Sequence, residues 1–188
     1  MTTALEYKSF AIHQAWVSAY TVATASWIEF PLAAEGTLTL GISKAEVRDG
    51  EGSLDYVWHH TQTAAVRLRG KQTSLRILEM ITGNASSSVA GGEQLYFGTD
   101  EELTPPLVRL KLIARAAWTN VSNEDTEGVF IVYVFKAKGG FPTLTLAETT
   151  PGEVAIDLDC MKSALNDLGV AVSEAFGRIF IAHSGAYV

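Results

Sequence analysis

The stretch EGTLTLGISKAEV, residues Glu35–Val47, carries the pattern that decides the fold. Three apolar side chains alternate here with three small polar ones: Leu38, Leu40 and Ile42 against Thr37, Thr39 and Ser43. Successive side chains of a β-strand point to opposite faces of the sheet. The alternation therefore predicts a strand with one face on an apolar core and the other in solvent.

The same period of two recurs in EVAIDLDC, residues Glu153–Cys160. It places four apolar side chains inward and three acidic ones outward: Val154, Ile156, Leu158 and Cys160 against Glu153, Asp157 and Asp159. A further stretch, GVFIVYVF at residues 128–135, is apolar on both faces, which is typical of a strand covered on both sides. Three separate parts of the chain thus predict strands of one packed β structure.

A row of basic residues lies on another alternating stretch, PPLVRLKLIARAAW. Arg109, Lys111 and Arg115 share one face of this predicted strand, and Ile113 interrupts them. The row lacks interleaved aromatic residues on its own face, which disfavours a nucleic-acid track. Like charges in a row need compensation, so we expect acids on a neighbouring strand or subunit and treat the three as candidate inter-subunit charges.

One helix is predicted over about residues 73–82, where Leu75, Leu78 and Ile81 have helical spacing. Thr73 or Ser74 can cap its start, and Gly83 marks its end. A weaker helical pattern covers residues 160–169, and residues 84–94 have the composition of a mobile loop. The fold class predicted is mainly β: one domain over residues 1–188, a sandwich or barrel of about eight strands with one flanking helix.

Composition limits the classes of function. The net charge of −7 and the pI near 5.1 disfavour a conventional nucleic-acid binder, which needs a basic footprint. No apolar run approaches the roughly 20 residues that a membrane-spanning helix requires, so we expect a soluble protein. The single cysteine, Cys160, excludes a disulfide within the chain and fits synthesis in a reducing compartment.

The most chemically loaded run is EVRDGEGSLDYVWHH, residues Glu46–His60. Its acids match the first, third and seventh positions of a calcium loop: Asp49, Glu51 and Asp55. The match fails at the sixth position, which is Leu54 instead of Gly, and at the twelfth, which is His60 instead of Glu. His59 and His60 are adjacent, and neighbouring residues of a strand face opposite ways, which disfavours a shared zinc ion. The run is interpreted as an acidic loop with glycine hinges.

Nucleophilic and acid–base chemistry find no better support. Cys160 continues the apolar side of a strand, and Asp157 and Asp159 have the spacing of exposed residues on one strand face. No G-x-S-x-G elbow, dinucleotide fingerprint or phosphate-binding loop motif is present in the sequence. We therefore predict no catalytic residue, no metal site and no cofactor, and do not expect an enzyme.

The order of the segments is familiar. It runs from YTVATASWIEFPLAAEGTLTLGISKAEVRDGEGSLDYVWHHTQTAAVRLRG through LRILEMITGN and GTDEELTPPLVRLKLIARA to GVFIVYVFKAKGGFPTLTLAETTPGEVAIDLDCMKS and GRIFIAH. In this order, over roughly residues 7–183, the chain resembles the major tail tube proteins of long, non-contractile tailed bacteriophages. The resemblance implies hexameric rings, in which inner strands of six subunits close into one barrel. Rings would stack head to tail into a hollow tube that conducts phage DNA from the capsid to the host.

The resemblance also implies roles for particular segments. An N-terminal arm of about residues 1–14 and a long loop of about residues 47–60 would reach the neighbouring ring. The inter-ring residues would be Asp49, Gly50, Glu51, Gly52, Ser53, Asp55 and Tyr56. Besides the self-assembled rings, the implied partners are a tape-measure protein inside the tube, tail-terminator and distal-tail proteins at its ends, and DNA passing without specific binding. The implied location is the virion tail, after synthesis in the bacterial host cytoplasm, with no membrane involved.

Two faces compete to line the channel. One is small and polar (Thr37, Thr39 and Ser43) and the other is acidic (Glu153, Asp157 and Asp159). We favour the acidic face, because six copies of a chain with charge −7 give a ring of −42, and repulsion lets DNA slide. If the row that begins at Arg109 also faced the channel, the wall would be mixed.

Three other functions stay open. A tail-terminator or secretion-type ring would share the sandwich and stop at one hexamer. A carbohydrate- or cell-surface-binding module is suggested by four tryptophans: Trp16, Trp27, Trp58 and Trp118. Tryptophans are more often core or interface anchors than sugar platforms. A metal-dependent enzyme would have to be centred on His59 and His60.

Overall fold

The computed structural model describes residues 7–20, 25–48, 54–71, 74–96, 105–119, 125–139, 142–145 and 153–182. Within these ranges only the backbone is described for residues 7–11, 32–35, 43–48, 54–61, 116–119 and 125–127.

Thirteen strands and one helix make up the described part of the chain. The first six strands and the helix are β1 (Tyr7–Ala19), β2 (Ile28–Phe30), β3 (Leu32–Arg48), β4 (Leu54–Gly70), α1 (Leu75–Thr82), β5 (Ser86–Val89) and β6 (Gly92–Leu95). The remaining strands are β7 (Leu107–Thr119), β8 (Asp125–Gly139), β9 (Thr143–Thr145), β10 (Glu153–Cys160), β11 (Ser163–Leu165), β12 (Ala171–Ala175) and β13 (Gly177–Ala182). The mainly-β class with one helix is confirmed, and the described strands are more numerous than the eight expected.

Nine of the strands form one antiparallel sheet, in the order β2-β1-β7-β8-β10-β4-β3, with β9 beside β10 and β13 beside β8. β5 pairs with β6, and β11 with β12, as two separate small hairpins. The ends of the large sheet approach each other, since a Cβ on Gly36 of β3 would lie 3.2 Å from Cδ1 of Ile12 in β1. The sheet is therefore rolled around its inner face.

The main core fills the inside of this roll. One half of the sheet contributes Val17, Leu110 and Leu112, and the other contributes Leu68 and Ile156, all with no more than trace exposure. Each fully buried aliphatic side chain stabilises the fold by about 1.5–3 kcal/mol relative to an exposed one. The alternation predicted for β10 is confirmed, because its even-numbered residues are buried and its acids are exposed.

α1 closes one side of the core. Ser74, one of the two predicted caps, accepts a hydrogen bond at Oγ from the amide of Ile77, 3.3 Å away. Gly83 ends the helix in the left-handed conformation at φ 81°, and its amide donates to the carbonyl of Glu79. Ile77 and Ile81 are buried against the sheet, which orients the helix.

One sequence expectation is corrected by turn chemistry. Residues 160–169, expected to be weakly helical, instead run from the end of β10 through β11 into a turn. There Asn166 Oδ1 accepts hydrogen bonds from the amides of Leu168 and Val170, both at 2.9 Å, and Gly169 adopts φ 76°. A side chain that satisfies backbone donors in this way competes directly with a helix.

Residues 84–94, expected to be a mobile loop, contain the β5–β6 hairpin with Gly91 at φ 92° in its turn. The amide of Ser86 donates to Glu79 Oε1, which ties this hairpin to α1 and lowers the pKa of the Glu79 carboxyl.

β10 and β13 share one edge of β8. Cys160 pairs with Ala137, and three residues further along β8, Gly177 pairs with Val134 in the same antiparallel direction. β7 occupies the opposite edge of β8 at these same residues. The chain therefore leaves the sheet after β10, forms β11 and β12, and returns to the same edge of β8 as β13.

Candidate functional surfaces

The two surfaces that competed as channel walls are one surface. Thr37 of β3 pairs with Arg67 of β4, and Arg67 pairs on its other side with Asp157 of β10. Residues directly opposite each other in a sheet point to the same face. The polar side of β3 and the acidic side of β10 are thus joined across β4 into a single polar face.

The next row of this face confirms the arrangement. Thr39 pairs with Ala65, Ala65 with Asp159, and Asp159 with Lys138 of β8. Glu153 has the same parity at one end of β10, and the Ser43 backbone continues the Thr37 side of β3. The side chains of Thr37, Thr39, Glu153, Asp157 and Asp159 are all exposed.

The described charges on this polar face balance, so the face as a whole is not acidic, and its position in a channel stays a prediction. Its described cations are Arg67, Arg69 and Lys138, and its described acids are Glu153, Asp157 and Asp159. Arg67 Nε lies 3.2 Å from Asp157 Oδ1, with 55% and 69% of the two side chains exposed, so water screens this ion pair strongly. The sequence AAVRLRG already held the signal for Arg67 and Arg69, because its arginines alternate with buried residues.

A shallow polar pocket of about 400 Å³ opens on the same face and is lined by Thr37, Thr39, Arg67 and Arg69. Strand pairing alone brings these four residues together. They are two same-face neighbours on β3 and two on β4.

β3 and β4 form the longest hairpin among the described strands. Each strand has 17 residues, which corresponds to roughly 55 Å at about 3.3 Å per residue.

The loop predicted over residues 47–60 is shorter than expected, because β3 runs to Arg48 and β4 begins at Leu54. Asp55 and Tyr56 are the second and third residues of β4. The other predicted inter-ring residues lie outside the described residues: Asp49, Gly50, Glu51, Gly52 and Ser53. Residues 7–14 of the predicted N-terminal arm belong to β1, so this part pairs within the sheet.

The apolar side of this hairpin extends beyond the core. β10 ends with Cys160 opposite Ala64, and the partner of Ala64 on β3 is Leu40, which is 65% exposed. Ile42, two residues beyond this point, is 60% exposed. Across a groove of about 300 Å³ lies β13, whose Ile179 is also exposed. In the described part of the chain no strand other than β4 pairs with β3. The sequence correctly predicted that Leu40 and Ile42 share the apolar side of a strand. The prediction that this side is buried is wrong for these two residues in the isolated chain.

The predicted row of inter-subunit charges separates into buried and accessible residues. Arg109 is fully buried, and its guanidinium carbon lies 5.0 Å from the centre of the Tyr20 ring. Tyr20 in turn hydrogen-bonds Ser163 through its hydroxyl, at 3.2 Å. Arg109 therefore packs in the interior of its own chain, which corrects its assignment as a candidate inter-subunit charge. Lys111 is half-buried and Arg115 is exposed, and for these two the assignment stays a prediction.

A second cation–aromatic cluster, which the sequence analysis missed, fixes the β11–β12 hairpin to the sheet. Arg178 Nη2 lies 3.0 Å from Oδ2 of the buried Asp167, and the Arg178 guanidinium lies 4.6 Å from the Tyr133 ring centre. Trp27 contacts the same ring edge-on, at 6.5 Å between centroids. Burial, together with the charge of Asp167, raises the pKa of Tyr133, and Arg178 opposes this shift.

Of the residues weighed for chemistry, the two adjacent histidines are described by their backbone only. His59 and His60 occupy successive backbone positions of β4, and no group of three or more potential metal ligands occurs within the described residues. Cys160 is buried, and burial together with Asp159 raises the pKa of its thiol to about 11, which disfavours the reactive thiolate.

The tryptophans described with side chains have packing roles. Trp27 contacts Tyr133, and Nε1 of Trp16 is buried. Trp58 and Trp118 have only their backbones described, so the sugar-binding alternative stays a prediction. Across the described ranges, no helix is long and apolar enough to span a bilayer.

Comparison with known proteins identifies no family for this chain. No family model matches the sequence, and no curated protein matches it. Among solved structures, the chain is similar to one from the sheath–tube complex of a PVC extracellular contractile injection system in the extended state. The two are 12% identical, the match covers 93% of this chain and 92% of that one, and the TM-score is 0.41. A likeness of this strength shows neither a common family nor a common activity.

Proposed function

We propose that this protein is a structural subunit that assembles with copies of itself into hexameric rings, which stack into the hollow tail tube of a bacteriophage. The observation that carries the proposal is the edge strand β3. It exposes Leu40 and Ile42 to solvent, and β4 is its only partner among the described strands. A long, apolar, unpaired edge is an aggregation hazard in a monomer, and a neighbouring copy would remove it.

The size of the effect supports assembly. Full burial of a leucine or isoleucine side chain is worth about 1.5–3 kcal/mol, so covering the exposed part of Leu40 and Ile42 contributes roughly 1–2 kcal/mol each. Every subunit of a ring repeats this gain. Heterologous contacts of this kind close into rings or continue as filaments, which is the geometry that a tube needs.

The polar face of β3, β4 and β10 is proposed to line the channel. It presents hydroxyl groups and balanced charges, and its described members include no large apolar side chain. Such a wall would let DNA and a tape-measure protein pass without adhering through apolar contact. In this proposal the protein has no catalytic role and no cofactor, its remaining partners are proteins at the tube ends, and its location is the virion tail.

The test compares the full-length chain with two matched double variants by electron microscopy and light scattering over a range of concentrations. The parent chain should form rings or hollow tubes, and Leu40→Asp with Ile42→Asp should raise the concentration needed by at least about tenfold, since 1.4 kcal/mol is a factor of ten. The control, Leu168→Asp with Val170→Asp, alters a second exposed apolar pair with the same spacing, on the β11–β12 turn, and should assemble like the parent.

A parent chain that stays monomeric at every concentration would overturn the proposal. Normal assembly of the hairpin variant would refute the role of Leu40 and Ile42. Single rings that never lengthen would favour the tail-terminator alternative.

A further inference from the structure

The polar pocket between β3 and β4 has the donor set of an oxyanion site. Its four lining residues are two arginines and two threonines: Arg67, Arg69, Thr37 and Thr39. A guanidinium group offers five N–H donors and no acceptor, and a threonine hydroxyl can donate one hydrogen bond. The pocket lining is therefore rich in donors, and a negatively charged oxygen ligand is the partner that such a lining fits.

Strand geometry sets the spacing of these donors. Arg67 and Arg69 are successive same-face residues of β4, about 7 Å apart along the strand, and Thr37 lies directly opposite Arg67. Long arginine side chains from positions this close can reach one ligand from two directions. The planar fork of each guanidinium matches two oxygens of a phosphate at once.

The charges around the pocket leave room for a ligand. Arg67 contacts Asp157 through Nε, so the contact named does not use its terminal N–H groups. Arg69 faces Ala155 on β10, and among the ion pairs of the described residues none involves Arg69. Glu35 is the register partner of Arg69 on β3, described by its backbone only. Two neighbouring cations repel each other, and an anion held between them relieves that repulsion.

We propose that Thr37, Thr39, Arg67 and Arg69 bind a phosphate group. The ligand chemistry is a tetrahedral oxyanion, supplied either by free inorganic phosphate or by a phosphodiester of a DNA strand. This goes beyond the proposed function, because the site is complete within one chain and does not depend on ring formation.

The experiment is isothermal titration calorimetry of the full-length chain at constant ionic strength. Inorganic phosphate is the ligand in one arm and a short oligothymidylate without terminal phosphate is the ligand in the other. Arg69→Gln should weaken binding by about tenfold or more, since a hydrogen bond to a charged group contributes at least that much. Arg69→Lys, which keeps the charge and loses the fork, should weaken binding by less.

Matched controls separate the site from general charge. Arg76→Gln removes an exposed arginine of α1, and Thr145→Val removes an exposed threonine of β9, and neither should change the affinity. Thr37→Val should weaken binding with an unchanged thermal midpoint. Binding of the oligothymidylate that is lost in Arg69→Gln assigns the site to DNA phosphates, and binding of inorganic phosphate alone assigns it to the free ion. The proposal is overturned if neither ligand binds, or if Arg76→Gln and Arg69→Gln weaken binding equally.

Discussion

The start of β13 can be tested with a single added methyl group. Gly177 pairs with Val134, and a Cβ at residue 177 would overlap the carbonyl oxygen of Tyr133. It would also lie 3.0 Å from the carbonyl carbon of Tyr133 and 3.2 Å from the Cα of Val134. These neighbours are backbone atoms of a central strand, so they cannot rotate away as a side chain would. Gly177→Ala must therefore displace β13 from β8 locally.

The expected cost follows from this geometry. Overpacking a well-filled site costs about 1–3 kcal/mol, and a clash with backbone belongs at the upper end of that range. Glycine-to-alanine changes also gain about 0.4–1 kcal/mol by restricting the unfolded chain, which leaves a net loss of about 1.5–2.5 kcal/mol. For a chain of this length each kcal/mol lowers the thermal midpoint by about 2–4 °C, so we expect a fall of roughly 3–10 °C.

The assay is thermal and urea unfolding of Gly177→Ala beside Gly92→Ala. Gly92 is the matched control, because no heavy atom lies within 4 Å of the position that its Cβ would take. Gly92→Ala should leave the free energy of unfolding unchanged or raise it by up to about 1 kcal/mol, because only the restriction of the unfolded chain acts there. Equal midpoints for the two variants would refute the pairing of β13 with β8 at this residue.

The remaining predictions concern the loop, the ion pairs and the thiol. Deleting Gly50–Ser53 should leave the monomer folded by circular dichroism and impair polymerisation, and normal tubes from the deletion chain would exclude the loop as an inter-ring contact. Arg178→Gln leaves the buried Asp167 without its cation and should lower the free energy of unfolding by about 1–3 kcal/mol in urea, whereas Arg67→Gln, which breaks an exposed pair, should cost under about 1 kcal/mol. Native Cys160 should resist iodoacetamide at pH 8 and react once the chain is unfolded. Folding raises the pKa of this thiol from 9.0 to about 11, so its contribution to the free energy of unfolding is complete below pH 9 and is lost as the pH rises toward 11. Cys160→Ala should therefore flatten the dependence of stability on pH between these values.

Alternation of apolar and polar residues predicted which side of each strand faces the core, and it did so for β10 and β3 alike. It could not predict whether anything covers that side. Ile156 in β10 meets the opposite half of the rolled sheet and is buried, whereas Leu40 in β3 has the same local pattern, lies level with the last residue of β10 and is exposed. The difference depends on strand lengths elsewhere in the fold, which a period of two does not encode.

Long-range register limited the prediction of sites. Thr37 and Asp157 are distant in sequence and share a face only because both pair with Arg67. Arg109 had the pattern of a surface residue, and Tyr20 covers it from outside its own strand. Each of these relations is a tertiary contact, set by the order of strands in the sheet. The helix was easier to predict because its cap at Ser74 and its stop at Gly83 are local signals.

Because β10 and β13 pair with the same edge of β8, the length of the segment between them can change. One position in the sheet is filled by two separate segments, and residues 161–176 form an excursion that starts and ends at neighbouring points of β8. Its endpoints stay close whatever its length, so insertions at its exposed positions, which leave the buried Ser163 and Asp167 in place, would not change the pairing of either segment. The outer surface of the protein can therefore be remodelled through this excursion, independently of the polar face on β3 and β4.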